Sequence, residues 1–248
     1  MLRSNSCLVL IAVFISGCAL SNPAPSSTAT LAATPTSISS HPQKISFKTD
    51  DGLTLAGTLY GRGSNVVILS NVGDGTQPDW QELPDELARR GYLVLTYDWR
   101  GLGLSAGKRD YVQSPLDLKA AIAFVRSRGA LKTILAGASL GGMASLKIAA
   151  IEELVGVIVI SSPRQAPDFV IDEKEIAAIS VPKLFIGSQQ DATVIYAETI
   201  AMHQIAIEPK LLKSYAGSAH GTDILMTSDH ADFVKTIIDF ITTTLPNS

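Results

Sequence analysis

The sequence predicts one α/β domain built on a mostly parallel sheet, with helices covering both faces. Three observations carry that expectation. From Lys44 onward, short β-rich runs alternate with amphipathic stretches, the order expected of strand–helix–strand units. Several of the runs are apolar throughout, as strands buried on both faces must be. No repeat and no second break in composition divides residues 43–248. A chain of 248 residues that is 46% apolar can bury a full core in one domain of that size.

The first residues stand outside this scheme. "MLRSNS" brings one positive charge, and "CLVLIAVFI" is an apolar run of secretory length, too short to span a bilayer. "ISGC", Ile15 to Cys18, follows. It resembles the lipobox of bacterial lipoproteins, which implies that residues 1–17 are a signal peptide and that Cys18 carries the lipid. The alternative is an ordinary signal peptide with an incidental cysteine. Residues 18–42 then read as a tether, because "ALSNPAPSSTATLAATPTSISSHP" is nearly all Ala, Ser, Thr and Pro. It has no period and too little bulky apolar surface to offset the entropy of ordering. The expected location is a bacterial cell envelope, with the folded domain held to a membrane outside the cytoplasm.

Within residues 43–248, "KISFKTDDGLTLAGTLYG" alternates apolar and polar residues around Asp51-Gly52 and predicts a hairpin. "NVVILS" predicts a buried strand. "PDWQELPDELARRG" predicts a helix interrupted at Pro84 and closed by Gly91. "YLVLTYD" is the next buried strand. "SPLDLKAAIAFVRSRG" carries helix signals at both ends, with Ser114 as N-cap, Pro115 at the first position, Asp117 in the first turn and Gly129 beyond the last. Strand "KTILAGA", a helix after Ser139, strands "VGVIVIS" and "PKLFIGS", a helix from about Val194, strand "KLLKSYA" and a terminal helix from about Asp229 complete the order.

In an open parallel sheet, active groups collect beyond the carboxyl ends of the strands. Ser139 sits there, inside "GASLG". This is the G-x-S-x-G pattern that holds a serine hydroxyl clear of a strand-to-helix turn; the plain alternative is a tight turn of small residues. A serine needs a base, commonly a histidine oriented by a carboxylate. Of the four histidines, His41 lies in the tether, His203 inside a predicted helix, and His230 in the first turn of the terminal helix. His220, in "GSAHGTD" after the strand "KLLKSYA", is the candidate base. Asp191, directly after "PKLFIGS", is the candidate acid. Asp223, only three residues from His220, is its rival, while Asp168 and Asp172 read as solvated loop charges.

Here residues 44–245 resemble the α/β-hydrolase family. The order Ser139, Asp191, His220, each after a strand, matches that fold, and "DWRGLGLS", Asp98 to Ser105, matches a D-x-R-G-x-G-x-S segment common in it. The resemblance implies that Asp98 and Arg100 tie loops together. Among its branches the chain looks most like dienelactone-hydrolase-like and acyl-peptidase-like serine esterases. These often carry "HG" after the third strand, where this chain has "SNVGDG", with Asn71 for the histidine and Val72 for the glycine. The oxyanion donors implied are the backbone N–H groups of Leu140 and of Val72, with Gly73 the alternative to Val72. Val72 is favoured because Gly73 is then left free for a positive φ in the turn.

Only about twenty residues, "SPRQAPDFVIDEKEIAAISV", lie between the strands "VGVIVIS" and "PKLFIGS". The cap over the site is therefore expected to be minimal, holding at most a short helix. The expected activity is hydrolysis of small soluble or short-chain carboxylic esters through an acyl-enzyme. A peptidase or thioesterase would use the same residues, and a non-catalytic binding module on a hydrolase scaffold is the alternative from another class. No metal or nucleotide motif is present, so no metal and no cofactor are expected. A net charge of −3 without a Lys/Arg cluster argues against nucleic acid as a partner. Both cysteines, Cys7 and Cys18, precede the domain, which rules out thiolate chemistry in it. The sequence leaves the oligomeric state open.

Overall fold

The computed structural model describes Leu10 and residues 41–247. The chain divides into two units, Met1–Ile38 and Ser39–Ser248, and the second is described here. The signal peptide expected at 1–17, the lipidation site Cys18 and nearly all of the tether lie outside the described residues.

Strands β1 (Gln43–Lys48), β2 (Thr54–Gly61) and β3 (Asn65–Ser70) open the domain. The hairpin expected of β1 and β2 is present, paired Gln43 to Leu59 and Lys48 to Thr54. A 3-10 turn at Gln77–Trp80 leads into α1 (Leu83–Arg89), then β4 (Leu93–Tyr97), α2 (Ser114–Ser127), β5 (Lys132–Ala138), α3 (Leu140–Ala149) and β6 (Gly156–Ile160). After β6 come the two-residue strands β7 (Gln165–Ala166) and β8 (Phe169–Val170), α4 (Glu173–Ala178), β9 (Lys183–Ser188), α5 (Tyr196–Ile205), β10 (Lys210–Tyr215), a 3-10 helix at Gly221–Met226 and α6 (His230–Thr244). The main sheet runs β1-β2-β4-β3-β5-β6-β9-β10. Only the β1–β2 and β2–β4 pairs are antiparallel.

Alternation along the central strands sorts the core into two layers. Val66 and Ile68 of β3 pack with Leu118, Ile122 and Val125 of α2 and Met143 and Leu146 of α3. Val67 and Leu69, one residue out of phase, pack with Leu83 and Leu87 of α1 and Phe233, Ile237 and Ile241 of α6. All four β3 side chains are fully buried, and each burial of that kind stabilises by about 1.5–3 kcal/mol. A polar residue anywhere in "VVIL" would therefore be opposed from one helical layer or the other.

Some boundaries differ from the sequence reading. The interruption expected at Pro84 falls earlier, at Gln81, whose φ is +48. Pro84 sits in the first turn of α1, where its missing N–H costs nothing. Ser114 is the first helical residue rather than the N-cap. Gln113 takes the cap position, Pro115 follows in the first turn, and the Ser114 hydroxyl is buried without a partner. Helices α5 and α6 begin at Tyr196 and His230. The β6–β9 connection holds the one short helix expected, α4, and also a β7–β8 hairpin that strands of two residues had left illegible. Asp172 is not merely a solvated charge: it caps α4, accepting from the Glu175 N–H at 2.9 Å.

The segment "DWRGLGLS" ties loops together as expected. Asp98 accepts from the Gln77 N–H and side-chain amide and from the Leu104 N–H. Arg100 clamps buried Asp117 with Nε and Nη2 at 2.8 and 2.7 Å, and reaches Asp51. Burial raises the Asp117 carboxyl above its ordinary range, and Arg100 opposes that rise. Loss of Arg100 would leave Asp117 unpaired at a cost of about 3–5 kcal/mol.

Candidate active site

Ser139 stands between β5 and α3 with φ +52 and ψ −112, a left-handed conformation that costs a non-glycine residue about 1–3 kcal/mol. Its surroundings hold it there. The Ser139 N–H donates to the Ile160 carbonyl at 2.8 Å. Its own carbonyl accepts from the N–H groups of Gly142 and Met143 and from the Ser162 hydroxyl. The glycines of "GASLG" answer to space. A Cβ at Gly137 would lie 2.0 Å from the Gly141 carbonyl oxygen, and one at Gly141 would lie 2.3 Å from that of Ser70. The serine is forced into its turn because strand and helix backbones pass too close for any larger residue.

Neighbouring strands bring the other two groups together. Beyond the β9–β10 pair, the Gln189 and Gln190 N–H groups donate to the Tyr215 and Gly217 carbonyls, and the Ser188 hydroxyl donates to that of Ala219. The loops carrying Asp191 and His220 are thus zipped side by side. His220 Nδ1 lies 2.8 Å from Asp191 Oδ2. Asp191 Oδ1 is held from its other side by the N–H groups of Thr193 and Val194 at 2.8 and 3.0 Å. The carboxylate is 1% exposed and the imidazole 17%, so the acid is sealed in while one side of the base meets solvent. Asp223 is exposed on the 3-10 helix after His220.

Ser139 and His220 line one cleft of about 350 Å³, together with Val72, Tyr111, Met143 and Pro163. Leu140 and Gly73 also border it. Among the described residues, the N–H groups of Val72, Gly73 and Leu140 donate to no protein acceptor. One reason for favouring Val72 over Gly73 fails: Gly73 is not among the positive-φ glycines. The Val72–Gly75 turn closes by a Gly75 N–H to Val72 carbonyl bond, and its special position is Gly75, where a Cβ would lie 2.5 Å from Asp79 Oδ2.

A second cavity of about 450 Å³ shares Pro163 and Thr193 with the cleft. The hairpin side of the cap and the loop from Thr193 to Ile195 wall it, and Arg164, bonded through Nε to Glu198 at 3.1 Å, lines it. Tyr111, Met143 and Ser162 were not singled out in the sequence; Met143 stands one helical turn after Ser139, while only the fold brings Tyr111 and Ser162 to the serine. Among the described residues, no group of three or more His, Cys, Asp or Glu is placed to hold a metal, and no helix is long and apolar enough to cross a membrane.

Comparison with known proteins bears on this geometry. No sequence among the curated proteins matches. Residues 64–171 match the family described as serine aminopeptidase, S33; this stretch contains Val72, "DWRGLGLS" and Ser139, and ends before Asp191. Solved structures match over much more of the chain. An esterase from Pyrococcus furiosus is 19% identical with a TM-score of 0.72, covering 86% of this chain and 94% of its own. An esterase domain from a Rhodothermus marinus protein is 23% identical with a TM-score of 0.65, covering 80% and 96%. A monoacylglycerol lipase from Paleococcus ferrophilus is 18% identical with a TM-score of 0.67, covering 77% and 99%. From its sheet order, its strand-end site and these likenesses, the chain has the α/β-hydrolase fold.

Proposed function

We propose that this chain is a serine hydrolase that cleaves carboxylic esters through an acyl-enzyme intermediate. The observation that carries the reading is the 2.8 Å bond between His220 and Asp191 in a cleft that also holds Ser139. Bonding at Nδ1 fixes the imidazole and leaves Nε2 to serve as base. Ser139 Oγ attacks the ester carbonyl carbon and its proton passes to His220. The negative oxygen that forms is received by the N–H groups of Leu140 and Val72. Collapse breaks the bond to the alcohol oxygen, which takes the proton from His220. Water, deprotonated in turn by His220, then attacks the acyl carbon, and collapse breaks the bond to Ser139 Oγ, which takes the proton back from His220 as the acid leaves.

The short cap supports small or extended soluble substrates over long-chain lipid, because the cleft opens beside a shallow second cavity with a polar Arg164–Glu198 pair. "ISGC" after an apolar run supports a lipid on Cys18 and a place in the bacterial cell envelope. A peptidase is the second reading, favoured by the description of the family matched over residues 64–171. The test is labelling with a fluorophosphonate probe, followed by chromogenic esters of increasing chain length beside aminoacyl anilides. Labelling at Ser139 with ester turnover supports the proposal; turnover of anilides in preference to esters moves it to the peptidase. Absence of both label and turnover overturns it.

A further inference from the structure

The cleft sits at the carboxyl ends of the parallel strands, and the loops at their amino ends make up the opposite face of the domain. The chain joins the domain at that opposite face. Gln43, the first residue of β1, pairs with Leu59 near the end of β2. Gly61 closes β2 beside Leu93, where β4 begins. The segment that precedes Gln43 therefore meets the domain at the end away from Ser139.

Hydrogen bonds stitch the loops of this face together. The Leu131 and Lys132 N–H groups both donate to the Ser64 carbonyl. Arg126 reaches the Glu152 carboxylate and the Glu153 carbonyl, so the α2–β5 and α3–β6 loops wall one cavity of about 480 Å³. From these two loops Leu131 and Ile151 stand out into solvent, at 80% and 76% exposure. Apolar side chains scattered singly over a surface need no explanation, but these two stand on adjacent loops and among cations. Arg62, Arg128 and Lys132 are exposed and, among the described residues, enter no ion pair. With Arg126 they set four cations against two carboxylates, Glu152 and Glu153, in a chain whose net charge is −3.

Apolar tips among unpaired cations suit an anionic phospholipid bilayer: its headgroups attract Lys and Arg, and its acyl boundary takes the aliphatic tips. The rim of the cleft exposes Leu104 and Met226 as well. There, however, exposed Asp74, Asp110 and Asp223 offset Lys108 and Arg109, so that rim has no net attraction for an anionic surface. We infer that the domain rests on an anionic membrane through the loops around Leu131 and Ile151, with the cleft turned to the aqueous side. The inference rests on the reading of Cys18 as the lipid-bearing residue and deepens it. A lipid there ties the chain's entry point to the bilayer, so weak contacts at this face act at high effective concentration. A cleft turned outward meets soluble esters and not the acyl chains of the bilayer.

Tryptophan quenching tests this, because the native Trp80 and Trp99 are buried and stay away from lipid. Ile151→Trp and Met226→Trp are purified with their native amino terminus and placed on vesicles of phosphatidylglycerol and brominated phosphatidylcholine. The emission added by Ile151→Trp should be quenched, and that added by Met226→Trp should not. Arg128→Glu with Lys132→Glu, added to Ile151→Trp, should relieve the quenching, since each basic residue near an anionic surface is worth roughly fivefold in binding. Omitting phosphatidylglycerol should do the same. Thermal midpoints close to the parent's show that these exposed substitutions leave the fold intact. Quenching of Met226→Trp in place of Ile151→Trp, or of neither, overturns the inference, as does quenching of Ile151→Trp that ignores both sets of charges. If mass spectrometry finds no diacylglyceryl group at the amino terminus, the anchor reading is what fails. The same proteins are then added to the vesicles from solution: quenching confined to Ile151→Trp keeps the membrane face, and its absence overturns it.

Discussion

His220 Nδ1 and Asp191 Oδ2 lie 2.8 Å apart although 29 positions separate them in the chain, whereas Asp223, three positions away, bonds His220 only through its own backbone N–H. The distant acid wins because the turn after His220 carries Asp223 outward to solvent, while zipping of the β9 and β10 loops carries Asp191 inward. Asp191→Asn should therefore lower kcat by about 10⁴, the scale seen when a histidine loses its orienting carboxylate, and Asp223→Asn should leave it nearly unchanged. Ser139→Ala should abolish covalent labelling, and His220→Ala should be nearly as damaging, because the set acts as a unit. Steady-state kinetics on one chromogenic ester decide the ranking; a larger loss from Asp223→Asn overturns the choice of acid.

Proline substitution separates the two candidate oxyanion donors. Val72→Pro deletes the N–H and should cost about 10²–10³ in kcat, with the protein folded and still slowly labelled. Val72→Ala should be mild, because the donor is backbone. Gly73→Pro should cost little turnover if its N–H has no part in the reaction. A damaged Gly73→Pro beside an active, folded Val72→Pro would assign the donor to Gly73.

Most of the sheet was legible in the sequence, and the reason is energetic. A strand covered on both faces cannot tolerate polar residues, so "NVVILS", "YLVLTYD" and "VGVIVIS" declare themselves. The β7–β8 hairpin could not, since strands of two residues carry no period. Its one local mark is Pro167-Asp168, where Asp168 takes φ +59 in the turn. The break at Gln81 was misread as Pro84 because proline is hostile to a helix interior yet welcome in a first turn. At the site, Ser139 stands out because its turn demands glycines at fixed spacing, and His220 and Asp191 because they follow strands. Ser162 acts on the Ser139 carbonyl from elsewhere in the fold, and such a bond leaves no local pattern.

The cap makes a prediction about substrates. Between β6 and β9 the chain builds only a small hairpin and one short helix, with Val170 at 48% and Ile195 at 63% exposure beside the second cavity. A lid able to enclose a long acyl chain is absent from the described residues. With p-nitrophenyl esters of increasing length, kcat/KM should be highest for acetate or butyrate and show no jump as the substrate reaches its micellar range. A preference for long chains, or activation at an interface, would mean that the cleft is covered differently.

The amino-terminal cysteine is tested by fractionation. If Cys18 is lipidated, the parent protein sediments with membranes and partitions into detergent. Cys18→Ser should then appear in the soluble fraction or remain as an unprocessed precursor, with the purified domain's activity unaltered. A parent recovered in soluble form, with an unmodified amino terminus at another residue, would end the proposal.

His230 offers a pH-dependent contribution to stability that its place at the start of α6 does not announce. Both ring nitrogens face acceptors: Nδ1 faces the Leu225 carbonyl at 2.5 Å, and Nε2 faces the Glu82 carboxylate. A neutral imidazole has one donor and cannot satisfy both, whereas the imidazolium can. The hydrogen bond to Leu225 is the main cause that raises the His230 pKa above its ordinary 6.5, with Glu82 adding to it. The sign follows from linkage. A histidine whose folded pKa is raised contributes stability that is complete below its unfolded value, and that contribution is lost as pH climbs through the folded value. His230→Gln should therefore lower the thermal midpoint most in mildly acid buffer, and the gap from the parent should close as pH rises from about 6 to about 9. Glu82→Gln should reproduce part of the effect, because it removes the charge but not the Leu225 bond. Ester turnover at fixed pH should survive both changes, since neither side chain lines the cleft. A gap that stays constant across the range, or widens with pH, would mean that His230 is held there as the neutral ring.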